Sequence, residues 1–108
     1  MVKGPVKKII SFFGNDLKER GVKISKIILF GSYSTGKASE GSDIDVAVIS
    51  EDFVGKDIFA RVKMIKDAEV ATIRKFMVPL DVVAMTPDEY ENGASLVAAY
   101  AKRGVVVG

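Results

Sequence analysis

The sequence predicts an α/β domain, a small mixed sheet of three to four strands with helices packed against it. Three observations carry that expectation. Short β-branched runs, ISKIILF at 24–30, IDVAVI at 44–49 and LDVVAM at 80–85, read as strands. Apolar residues recur at helical spacing before, between and after them. The resulting order, α-β-turn-β-α-β-α, is that of a sheet covered by helices.

Taken in order, Pro5 stands at a first helical position, and Val6, Ile9, Ile10, Phe13 and Leu17 follow on one face until Gly21 stops the run. The first strand lies between Gly21 and Gly31. From Gly31 to Gly41, small and polar residues around three glycines leave room for a turn and one helical turn. Asp43 and Ser50 frame the second strand, and Val54 to Lys56 is a loop. Ile58, Val62, Ile65, Ile73 and Phe76 then mark one face of a long helix that Pro79 ends, and the third strand follows. Thr86-Pro87-Asp88-Glu89 sets an N-cap, a first-turn proline and an N3 glutamate in capping-box order. Asn92-Gly93 interrupts this helix, Ala94 to Lys102 resumes it, and Gly104 closes it before an apolar tail, Val105 to Val107. Leu96, Val97 and Tyr100 on the last helix read as core-facing, with a partner or homodimer surface as the alternative.

Composition restricts the chemistry. A chain of 108 residues, 48% hydrophobic and 28% charged, suits one domain, 1–108, with one core and one site. A balance of 16 basic against 14 acidic residues, without a basic run, gives little support to nucleic-acid binding. No window approaches a membrane span, and Met1 to Gly14 lacks a signal peptide's apolar core, so the cytoplasm is the expected compartment. The absence of Cys and His excludes disulfides, thiolate nucleophiles, Cys/His zinc sites and His-dependent triads. Any metal must be held by oxygen, which favours Mg²⁺, Mn²⁺ or Ca²⁺.

The stretch GSYSTGKASEGSDID, 31–45, poses a choice between two phosphate chemistries. Its first eight residues nearly spell a P-loop, but Ala38 stands where the metal-ligating Ser or Thr belongs. Lys37 should also open a long helix, whereas Gly41 and Ser42 follow almost at once. The alternative rests on Asp43-Ile44-Asp45. Residues i and i+2 of a strand share a face, so two carboxylates stand side by side while Ile44 points into the core. A solvated strand edge is the bland reading of such a pair. Unpaired charge at the mouth of a buried strand is nonetheless costly, and a divalent cation resolves the repulsion. Asp81 opens the third strand; if the second and third strands are neighbours, three carboxylates converge at one end of the sheet. Such a triad suits two metal ions clamping an in-line phosphoryl displacement. Gly31 and Ser32, where a strand gives way to a turn, can face a phosphate.

Gly31-Ser32, the intervening segment and Asp43-Ile44-Asp45 together resemble the signature of the DNA polymerase beta nucleotidyltransferase superfamily, in particular its minimal nucleotidyltransferases. The likeness extends to Asp81, to TPDEY and to the closing KRGVVV. It implies that Asp43 and Asp45 hold two Mg²⁺ ions, with Mn²⁺ as a substitute. Asp81 would complete the catalytic-metal site and help deprotonate the attacking hydroxyl. Gly31 and Ser32 would bind the outer phosphates of ATP, and Ser42 would add a hydrogen bond or serve only the turn. Many relatives carry arginine where this chain has Tyr33 and Thr35; Lys37 is the candidate replacement, with a solvated loop lysine as its bland reading.

No acceptor-binding domain is visible in the sequence. Stand-alone members of this kind pair with a small helical protein of the HEPN class, often a toxin, and transfer AMP to a tyrosine on it. The resemblance therefore implies an antitoxin that adenylylates its partner. Two alternatives stand beside it: a non-catalytic nucleotide-binding module that neutralises by contact, and a subunit of a small-molecule, aminoglycoside-type adenylyltransferase.

Overall fold

The computed structural model describes residues 4–35, 42–93 and 95–107. Helix α1 spans Gly4–Glu19 and strand β1 Lys26–Phe30; a single helical turn, α2, spans Ser32–Thr35. Strand β2 is Ile44–Ile49, followed by a 3-10 turn at Glu51–Phe53 and by α3, Ile58–Phe76. Strand β3, Leu80–Met85, leads into α4, Pro87–Asn92, and α5, Leu96–Lys102, and β4, Val105–Val106, closes the chain of elements.

The strands form one mixed sheet in the order β3-β2-β1-β4. Strand β1 runs antiparallel to both β2 and β4, whereas β2 and β3 are parallel, with α3 as their crossover. The apolar tail expected after Gly104 is thus the fourth strand. Side chains alternate between two faces, as strand geometry requires. Ile27, Leu29, Val46 and Val48 pack against Val6, Ile10, Phe13 and Leu17 of α1 and Ile65 and Ala68 of α3. Ile28, Ala47, Ile49 and Met85 form the opposite face with Ala98 and Ala101 of α5.

Local signals place most boundaries. Met77, in the left-handed conformation at φ 54°, terminates α3 before Pro79. Thr86 and Glu89 complete the expected capping box, with Glu89 N donating to Thr86 Oγ1 at 3.1 Å and Thr86 N donating to Glu89 Oε1 at 2.8 Å. Ser95 caps α5 by accepting from Ala98 N.

Two expected core stripes are corrected. Ile58 and Val62 of α3 are exposed, whereas Ile65 is buried with Ala68 and Thr72, and Ile73 and Phe76 pack partly buried against the core as expected. The first turns of α3 stand over a groove of about 590 Å³ beside β3, so Ile58 and Val62 line that groove instead of the core. On α5, Leu96 is 75% and Tyr100 55% exposed, and Val97 is also exposed. Ala98 and Ala101 are the residues that α5 presents to the sheet. Their small size lets the helix approach closely and turns its larger side chains outward.

Candidate functional site at one end of the sheet

Three chain segments meet where β1 ends and β2 and β3 begin. The β1–β2 register sets Phe30 opposite Asp45, and the β2–β3 register sets Asp45 beside Asp81. Cross-strand partners share a face, so both carboxylates project from the α5 side of the sheet. Ile44 between the aspartates is buried in the opposite core, as its strand position dictates. Asp43 is exposed just before β2. The neighbourhood expected for β2 and β3 is therefore present, and it aligns Asp45 with Asp81.

Gly31 makes this packing possible. Its φ of +74° suits glycine, and a Cβ there would stand 2.3 Å from Asp45 Oδ2. The missing side chain lets the Asp45 carboxylate lie against the turn that opens α2. Ser34 stitches the same turn, its backbone N and its Oγ both donating to the Gly31 carbonyl at 3.1 and 2.8 Å. Ser32 and Ser42 are partly exposed on the two sides of this turn region, and Lys37 lies outside the described residues.

The electrostatics match a crowded acidic end. Burial, then the neighbouring charges of Asp81 and Asp43, push the Asp45 carboxyl above the usual aspartate range. Glu69 on α3 is also raised, first by burial and then by Asp81. It is a fourth acid that belongs to this end of the sheet. Nothing in the local pattern around Glu69 signals that role, because α3 and β3 come together only in the folded chain.

Among the described residues, no group of three or more acidic side chains is already gathered as a metal cage. The available donors are carboxylate oxygens, which fit a hard divalent cation. The Asp45 carboxylate, disfavoured by burial and by the charges of Asp81 and Asp43, is the imbalance that a cation would offset. Asp43, Asp45 and Asp81 are the residues that would hold it.

Known proteins are similar to this chain in sequence and fold. A candidate protein adenylyltransferase of Methanocaldococcus jannaschii is 50% identical over 46 residues, which cover 41% of this chain and 45% of that relative. The chain thus matches less than half the length of this curated relative. A crystal structure of a candidate nucleotidyltransferase from Sulfolobus solfataricus has the same fold, with a TM-score of 0.62 at 16% identity over 98% of this chain and 87% of that one. A chain in a crystal structure of a toxin–antitoxin with AMP-PNP is similar at 26% identity, with a TM-score of 0.63 over 94% of this chain and 72% of its own. The nucleotidyltransferase domain family matches residues 7–97, from α1 into α5, and the chain belongs to that family.

Proposed function

We propose that the chain is a Mg²⁺-dependent adenylyltransferase that moves AMP from ATP to a tyrosine hydroxyl of a HEPN-type helical toxin partner and so acts as its antitoxin. The observation that carries this reading is the Asp45–Asp81 alignment against the side-chain-free Gly31 turn. It brings acidic groups to the place where a strand-to-turn junction can face phosphate. The likeness to a candidate protein adenylyltransferase and to a toxin–antitoxin chain supports protein as the acceptor.

In this scheme Gly31 and Ser32 hold the outer phosphates, with Ser42 beside them. Asp43, Asp45 and Asp81 would hold two Mg²⁺ ions, which supply charge neutralisation on the attacking and leaving oxygens. The acceptor oxygen bonds to the α-phosphorus as the bond from that phosphorus to the bridging oxygen breaks. Pyrophosphate leaves, and Asp81 receives the hydroxyl proton. Asp45, whose charge is disfavoured by burial and by Asp81 and Asp43, would be fully ionised when opposed by cationic charge.

The test is incubation with the genetically adjacent helical protein, ATP and Mg²⁺, followed by mass spectrometry. The partner should gain AMP on tyrosine and lose its activity, and Asp43→Ala or Asp45→Ala should abolish the gain. An unmodified partner silenced equally well by Asp43→Ala would establish the contact-only alternative. Modification of an aminoglycoside in place of the protein would assign the small-molecule reading.

A further inference from the structure

Beside the Gly31 turn lies a cavity of about 430 Å³ lined by Phe30, Gly31, Ser34, Tyr100 and Arg103. The last two come from the far end of the sequence. Strand β4 pairs with β1 through Ile28–Val106 and Leu29–Val105, and continuing that register brings Gly104 opposite Phe30. A Cβ at Gly104 would stand 2.4 Å from the Leu29 carbonyl oxygen and 3.0 Å from Phe30 Cβ, so only glycine allows this approach. Immediately before it, Arg103 is the C-cap of α5. The close Gly104 contact therefore fixes Arg103 next to the Phe30–Gly31 junction.

Arg103 is exposed, and among the described residues its guanidinium has no ion pair. The acids of the sheet end, Asp45 and Asp81, project from the same face that α5 covers. A cation that shares a cavity with the Gly31 turn, on the face from which those acids project, is placed for a polyanion that extends from the acidic end across the turn. Tyr100 lies one helical turn earlier, with its ring on the same cavity.

We propose that Arg103 grips the outer phosphates of the nucleoside triphosphate, with Tyr100 walling the same subsite, so that α5 completes a nucleotide site begun at Gly31. This rests on the nucleotidyltransferase reading above and deepens it. It assigns the phosphate-binding positive charge to the last helix, where neither Tyr33 nor Thr35 supplies any. A guanidinium is suited to this role by its planar fork of donors, which matches phosphate oxygens two at a time.

Calorimetric titration of ATP, ADP and AMP, each with Mg²⁺, into the whole chain and its variants tests the assignment. Arg103→Ala should weaken ATP by about 10- to 100-fold, the scale of a lost charge-assisted contact, and leave AMP unchanged. Arg103→Lys should recover part of the loss. Equal ATP affinity in Arg103→Ala and the parent chain overturns the role of Arg103 and leaves the nucleotidyltransferase reading standing. A parent chain that binds no ATP overturns both. Because Arg103 is exposed, neither variant removes a core contact.

Discussion

Gly31 and Gly21 both adopt positive φ, yet they differ in what surrounds them. At Gly21 a Cβ meets nothing within 4 Å, whereas at Gly31 it meets the Asp45 carboxylate. Gly21→Ala should therefore lose only backbone strain, about 1–2 kcal/mol. Gly31→Ala should lose more, because Asp45 must also move, and should abolish Mg²⁺-ATP binding while Gly21→Ala retains it. Thermal denaturation and calorimetry of the two variants check this; equal losses in both would show that Gly31 serves the turn alone. The sequence carried much of this site at residue scale. The alternation around Asp43-Ile44-Asp45 is a local property of a strand, so facing and burial followed from neighbours one or two positions away. Glu69 and Arg103 were illegible for the opposite reason. Each comes to this end of the sheet through packing between elements distant in the chain: Glu69 stands in no distinctive local pattern, and Arg103, although it lies in the closing KRGVVV, is placed only by the β1–β4 pairing.

At the scale of elements, the open side of β3 is guarded by a clamp. Arg61 of α3 donates to both Glu89 carboxylate oxygens at 2.7 and 3.1 Å and to the Ala84 carbonyl of β3 at 3.3 Å. It ties α3, β3 and the start of α4 together, and it occupies an acceptor on the sheet edge that another strand could otherwise use. The Arg61 hydrogen bond holds the Glu89 carboxyl below the usual glutamate range. A depressed carboxyl contributes stability that is present above the unfolded value of 4.5 and is lost as pH falls through the lower folded value. Glu89→Gln should therefore lower stability at neutral pH by about 1 kcal/mol, a figure reduced for a half-exposed ion pair. The gap between variant and parent should close below pH 4.5, as melting curves across pH would show; a constant gap would mean that the lost interaction is not ionic. The capping box feeding this clamp was legible because it lies within four residues. The outward face of α5 was not, since Leu96, Val97 and Tyr100 have helical spacing whichever side the sheet lies on. The deciding fact is the close seat of Ala98 and Ala101 against β1 and β2.

At the scale of the whole molecule, the sheet has two apolar faces and one acidic end, and the same strands build all three. Pairing β2 with β3 in parallel buries Val46 and Val48 and, in the same register, sets Asp45 beside Asp81. Folding thus drives like charges together, and stability and chemistry oppose each other at that end. Because burial and the Asp81 and Asp43 charges raise the folded pKa of Asp45, the folded state is favoured with Asp45 protonated. That favour is lost as pH rises through the folded value, so at neutral pH the ionised group works against folding. Asp45→Asn keeps the shape without the charge. In EDTA at neutral pH it should melt higher than the parent chain by about 2–5 °C, the scale of a sub-kilocalorie gain in a domain of this size. Adding Mg²⁺ at millimolar concentration should raise the parent chain by mass action on the folded state and leave Asp45→Asn nearly unchanged, so the difference narrows or reverses. Scanning calorimetry of both proteins, with and without Mg²⁺, reads each arm. A variant that melts below the parent in EDTA would show that Asp45 is held by favourable contacts, and the acidic end would then be a structural feature of the sheet with no charge left for a cation to offset.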